Sequence, residues 1–202
     1  MIAIVDYGVG NLFSLKSSFD AIGAEVVVTS DPAVLRQAEK IILPGVGAFE
    51  DAAKKLRESG LDQVLLEQAG LGKPLMGICL GMQLLFEKSF EFGEHTGLGL
   101  LSGLVVPMKG VIPKEYKIPH IGWNGLHITK KNPLFSGITQ GDCVYFVHSF
   151  YATDCEDSVI ATTEYGAELT AAVAKGNVYG CQFHPEKSGA VGLAILKAFA
   201  DL

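Results

Sequence analysis

The opening 80 residues alternate short apolar runs with amphipathic stretches, and this alternation leaves the chain few folds to choose from. IAIVD (2–6) reads as a buried strand, and AEVVVTS (24–30), KIILPG (40–45) and PLMGI (74–78) as the strands that follow it. Between them lie NLFSLKSSFDAIG (11–23), with Asn11 as N-cap and Gly23 as stop, a helix start at Asp31-Pro32, and the helical patterns AFEDAAKKLRE and LDQVLLEQA. Strand and helix in alternation predict a mostly parallel sheet flanked by helices. Past residue 100 the runs LVVPM, HIGWNGLHI, CVYFVHSFYAT, SVIATTEY, TAAVAKG and NVYGCQF follow one another across short turns, and read as antiparallel additions to that sheet. SGAVGLAILKAFADL (188–202) closes the chain as a helix with Ser188 as N-cap. The expected fold class is α/β in a single domain spanning 1–202, since 202 residues with 49% hydrophobic content can bury one sizeable core.

Composition removes several function classes. Lys and Arg total 16 against 22 Asp and Glu, a net charge of −6, with no basic stripe, so nucleic acid is not an expected partner. The N-terminus MIAIVDYG lacks a basic leader, and the apolar stretch from Leu98 is too short and interrupted to span a bilayer. A cytoplasmic protein without membrane association is expected. Cys79, Cys143, Cys155 and Cys181 form no CxxC pair and predict reduced thiols. His120 and His127 share a strand without further ligand residues and read as structural or interface groups, and His95 in FGEHTG reads as solvent-exposed. No metal is implied.

One cysteine sits where chemistry is expected. Gly77-Ile78-Cys79-Leu80-Gly81 has the spacing of a nucleophile elbow, with cysteine at the corner. A strand turning sharply into a helix strains the corner residue, and side chains two positions either way would collide with the turn. Such a corner is expected to project its thiol into solvent at the C-terminal edge of the sheet, beside a helix N-terminus that favours the thiolate. The same five residues also fit a buried structural cysteine beside packing glycines. A thiolate catalyst needs a base and an orienter. FHPE (183–186) supplies both, because extended chain would put Glu186 on the same side as His184. LPGVGAFE (43–50) offers glycines that let a peptide N–H point into a site, and Leu80 offers the second donor of an oxyanion hole.

Taken together, GICLGMQLLFE and FHPEKS resemble the cysteine and His-Pro-Glu motifs of the triad, class I glutamine amidotransferases. Within that family DYGVGNL (6–12), PGVGAFE (44–50), PHIGWN (119–124) and YFVHS (145–149) are similar, over nearly the whole chain, to the glutaminase subunits of imidazole glycerol phosphate synthase. The resemblance implies glutamine hydrolysis through a thioester on Cys79, with His184 as base and acid and Glu186 orienting it. It carries the oxyanion donors to Val46 and Leu80, and the L-glutamine pocket to Gly47, Gln83, Glu91, His148 and Ser149. Phe150 departs from the tyrosine common there, a change that a main-chain contact survives and a phenol contact does not. The implied partner is a (βα)8-barrel cyclase subunit, expected as a separate polypeptide in a heterodimer that makes imidazole glycerol phosphate in histidine biosynthesis. Asn11, Trp123, Tyr145 and Lys187 fall at or near that interface by family position. Trp123 as a core aromatic and Lys187 as a solvated charge are the competing local readings. No cofactor is implied, and the PGVG peptide is expected to flip when the partner binds its nucleotide.

Other functions fit parts of the pattern. The same triad serves γ-glutamyl hydrolases and amidotransferases of other synthases. Gly8-Val9-Gly10 after the first strand evokes a nucleotide-binding module, although Phe13 replaces the third glycine and Thr29-Ser30 stand where an acidic residue is needed. A pseudoenzyme is opposed by the presence of all three triad residues.

Overall fold

The structure, a computed structural model, describes residues 1–202. The first half is the expected alternation: β1 (Ile2–Val5), α1 (Leu12–Ala21), β2 (Val26–Thr29), α2 (Pro32–Gln37), β3 (Lys40–Leu43), α3 (Phe49–Glu58), α4 (Leu61–Gly70), β4 (Leu75–Ile78) and the short α5 (Leu80–Leu84). The second half holds β5 (Phe86–Ser89), β6 (His95–Thr96), β7 (Leu101–Pro107), β8 (His120–Gly125), β9 (His127–Ile128), β10 (Cys143–His148), β11 (Phe150–Thr153), β12 (Val159–Glu164), β13 (Glu168–Lys175), β14 (Val178–Cys181) and α6 (Gly189–Ala200).

Eight strands form the main sheet in the order β2-β1-β3-β4-β14-β13-β12-β9. Its apolar runs alternate between two cores. Ala3, Val5, Ile41 and Leu43 pack on one face with Leu35 of α2, Phe49 and Leu56 of α3 and Leu65 of α4. Ile2, Ile4, Ile42 and Met76 pack on the other with Leu15 and Phe19 of α1 and Ile195, Leu196 and Phe199 of α6. A strand with no polar alternation can be satisfied only by cover on both sides, and the helices supply it.

The antiparallel additions are present in β12 and β13, but the C-terminal strands do not all extend this sheet. β14 runs parallel to β4, β10 pairs β8 in a two-stranded sheet, and β11-β7-β5-β6 make a third. The run CVYFVHSFYAT breaks at Ser149, so its halves serve different sheets. Two expected caps are also different in kind. Asn11 precedes α1 without a side-chain cap bond. Ser188 precedes α6, but its hydroxyl donates to His184 O at 2.6 Å and accepts from Tyr145 N at 2.9 Å. Asp31 does cap α2, accepting from Ala33 N at 2.8 Å.

Candidate active site

Three neighbouring parallel strands, β3, β4 and β14, end at one edge of the sheet, with Leu43 beside Gly77 and Ile78 beside Cys181. The residues leaving those ends are Pro44 to Gly47, Cys79, and Gln182 to His184. Carboxyl ends of parallel strands are where α/β sheets place ligands. A cavity of about 770 Å³ opens there, lined among others by Val46, Gly47, Cys79, Leu80, Gln83, Glu91, His148, Ser149 and His184. That volume accommodates a molecule of amino-acid size.

Cys79 has φ 55° and ψ −113°, a backbone conformation that side chains rarely adopt. The glycines around it are required by contact. A Cβ on Gly77 would stand 2.5 Å from Gly81 O, and one on Gly81 would overlap the Leu43 carbonyl oxygen. The Cys79 N–H is tied to Cys181 O at 2.8 Å, which joins the corner to β14. The thiol does not project into open solvent: Cys79 is buried and faces the cavity. α5 is five residues long, so the dipole at its start is weaker than a full helix provides.

His184 and Glu186 meet as expected, Nδ1 to Oε1 at 2.7 Å, with side chains only 3% and 1% exposed. Their route to contact is not extended chain, because Pro185–Lys187 forms a 3-10 turn that folds Glu186 back under the ring. Burial lowers the imidazole's affinity for its proton, and the adjacent Cys79 sulfur and Glu186 carboxylate more than reverse this, raising the His184 pKa to about 9. Cys79 Sγ also makes long contacts with Val147 O at 4.0 Å and Gln182 Nε2 at 3.8 Å. Such catalytic contacts commonly tighten only with substrate.

The remaining pocket residues divide into free and committed groups. The Val46 N–H donates no internal hydrogen bond, and Leu80, as first residue of α5, has no acceptor for its N–H within the helix. Gly45 permits the approach of these two loops: a Cβ there would lie 2.6 Å from Gly81 N. Glu91 accepts from Phe49 N at 2.9 Å, and burial raises its pKa against the pull of that bond. The His148 ring is fully engaged. Its Nδ1 donates to Phe150 O at 2.9 Å and its Nε2 meets His120 Nδ1 at 3.1 Å. Burial pushes both histidines down to about 4, so both are neutral. His148 is left with its main chain for a ligand. Phe150 uses its carbonyl in the same network, where the missing phenol has no part.

Three of the four expected interface residues cluster. Trp123 stands opposite Tyr145 in the β8–β10 register with ring centroids 4.9 Å apart, and Lys187 Nζ lies 5.7 Å over the Tyr145 ring. Trp123 is 66% exposed, which excludes the core reading. Asn11 precedes α1, which contacts the Pro185–Lys187 turn that carries Lys187. His120 is structural, stacked on Phe146 and Tyr165, whereas His127 is exposed. His95 is not the solvent-exposed residue expected. It pairs with Ser89 in a short ladder, its side chain is 15% exposed, and its buried Nε2 makes no hydrogen bond but lies 3.9 Å from Glu50 Oε2. Sequence reasoning missed Gln182, fully buried beside Cys79, and Tyr7, whose hydroxyl donates to Pro44 O at 2.7 Å. A glutamine inside the apolar run NVYGCQF was the available signal for the first.

Sheet order and the shared strand edge define an α/β protein of the glutamine amidotransferase type. The fold is shared with a crystal structure of a glutamine amidotransferase (TM-score 0.76, 20% identity, 100% of both chains) and with PurLQS from Thermotoga maritima (TM-score 0.75, 24% identity, 99% of this chain and 97% of that chain). The chain belongs to the "Glutamine amidotransferase class-I" family, which it matches over residues 3–201. It is 50% identical over 205 residues to the imidazole glycerol phosphate synthase subunit HisH of Geobacillus sp. (strain WCH70), covering 100% of this chain and 97% of the relative. It is also 50% identical over 203 residues to the subunit of the same name from Caldanaerobacter subterraneus subsp. tengcongensis, covering 100% and 98%.

Proposed function

We propose that residues 1–202 form one glutaminase domain, the glutamine-hydrolysing subunit of an imidazole glycerol phosphate synthase in histidine biosynthesis. The observation that carries this reading is the end-to-end likeness to subunits of that name at 50% identity. The site geometry supports a mechanism. The Cys79 thiolate attacks the side-chain amide carbon of L-glutamine, and the oxyanion is received by the N–H groups of Val46 and Leu80. The His184 imidazolium, stabilised by Glu186, gives its proton to the departing ammonia, leaving a γ-glutamyl thioester. Water, deprotonated by His184, then attacks the thioester and releases glutamate and the free thiol. Gly47, Gln83, Glu91, His148 and Ser149 line the cavity that takes the glutamine.

Ammonia has use only if delivered, so the partner is a (βα)8-barrel cyclase docking over Trp123, Tyr145 and Lys187. This cluster is tied to the base, because the His184 N–H donates to Tyr145 O at 2.9 Å. Glycine at Gly45 and at Gly47, which has φ +90°, leaves a flip of the Gly45–Val46 peptide sterically open, and this supports gating by the partner. Four free cysteines fit a reducing, cytoplasmic setting, and no helix is long and apolar enough to cross a membrane.

The test is glutamate release from glutamine by the chain alone, with the cyclase, and with cyclase plus its nucleotide ligand. Turnover rises with the liganded partner and vanishes in Cys79→Ala, which retains ammonia-dependent synthesis by the complex. Equal turnover by the isolated chain would refute the gating, and absence of turnover in every mixture would refute the glutaminase reading.

A further inference from the structure

We infer that Gln182 is a positioning residue for the Cys79 nucleophile, its side-chain N–H aimed at the sulfur by a relay that starts at the Phe150 carbonyl. The inference rests on the glutaminase reading and deepens it. Gln182 leaves the end of β14 two residues before His184 and is fully buried, so its amide must find partners within the protein.

A carboxamide can be turned two ways, and here the surroundings decide. The Phe150 carbonyl can only accept, so the Gln83 atom 3.1 Å from it is Nε2. The same nitrogen lies 3.0 Å from the Gln182 side chain, whose atom there must be Oε1. Gln182 Nε2 is then the atom 3.8 Å from Cys79 Sγ, with a donor facing the sulfur. The start of the relay is itself immobilised, since His148 Nδ1 fills the other side of the Phe150 oxygen and His120 holds the far side of that ring.

A donor at this place favours the charged sulfur over the neutral thiol. It has no titration of its own, so it neither competes with His184 for the proton nor adds a charge to the pocket. A buried amide is thereby given a role at the reacting atom instead of in core packing.

Gln182→Met tests this, removing the donor to the sulfur without placing a second negative charge beside it. Gln182→Glu, which keeps the shape and an acceptor for Gln83 Nε2 but replaces the amide donor with a carboxyl group, serves as the second variant. The readout is the pH profile of Cys79 alkylation by iodoacetamide, followed on the Cys79 peptide by mass spectrometry, together with kcat and KM for glutamine in the cyclase complex. Far-UV circular dichroism of each variant and its co-elution with the cyclase on gel filtration report folding and docking. The expected result is an upward shift of the alkylation midpoint by about one pH unit, with alkylation and kcat below it falling about tenfold, the scale of one hydrogen bond to a charged group. In Gln182→Glu the KM stays within about twofold of wild type. Variants that fold, co-elute with the cyclase and keep the wild-type midpoint would overturn the inference while leaving the glutaminase reading intact. A wild-type complex without glutamine turnover would overturn both.

Discussion

Glu186→Gln isolates the electrostatic support of the base. In the folded protein His184 binds its proton with a pKa of about 9 against an ordinary 6.5, and at about 1.4 kcal/mol per unit the difference amounts to about 3 kcal/mol. Burial works against this value, and the Cys79 sulfur and the Glu186 carboxylate together produce it. Removing the carboxylate charge while keeping an oxygen near Nδ1 forfeits about half, so the His184 pKa falls by about one unit or more. The loss reaches stability with a defined sign. A histidine whose pKa is raised by folding stabilises fully below about 6.5 and loses that contribution as pH climbs through 9. Urea denaturation of the variant and wild type therefore differs most near pH 6 and converges near pH 10. Glutamine turnover in the cyclase complex falls about a hundredfold or more, because the imidazolium that protonates the departing ammonia has lost its partner. Nitrogen-15 NMR titration of His184 is the direct assay. A variant in which His184 still titrates near 9 would refute the reasoning.

Gly81→Ala forces a Cβ onto the Leu43 carbonyl; urea denaturation is expected to show a loss of about 1–3 kcal/mol or more, and glutamine turnover disappears with the corner. His120 and His148 are held near 4 in the fold, so between pH 6.5 and 4 the unfolded chain gains protons that the folded one refuses. Stability falls as pH drops through that window, by up to about 3 kcal/mol per histidine. A urea midpoint unchanged from pH 7 to 4.5 would contradict this, and His148→Gln is expected to flatten the slope. Trp123→Ala is expected to weaken cyclase binding about tenfold or more, measured by titration calorimetry, without altering the alkylation of Cys79.

Several features were legible before any tertiary contact. Apolar runs without alternation demanded strands covered on both faces, and the helical segments between them left a parallel sheet as the arrangement that supplies the cover. Gly77 and Gly81 marked the corner because the constraint there is steric and local. The nearness of His184 and Glu186 was also local, although a 3-10 turn and not extended chain brings it about.

Partnership between distant segments was decided only in three dimensions. NVYGCQF reads as a strand in any setting, but its insertion beside β4, parallel to it, is what delivers His184 and Gln182 to Cys79. The break at Ser149, the sealing of the His148 ring by His120 and the burial of His95 depend on which sheets those strands join. Periodicity and turn chemistry act over a few residues, so they are written in short stretches of sequence. Strand order and the orientation of a buried amide are settled by the packing of both sheet faces and the closing of every buried hydrogen bond, which involve the whole chain at once.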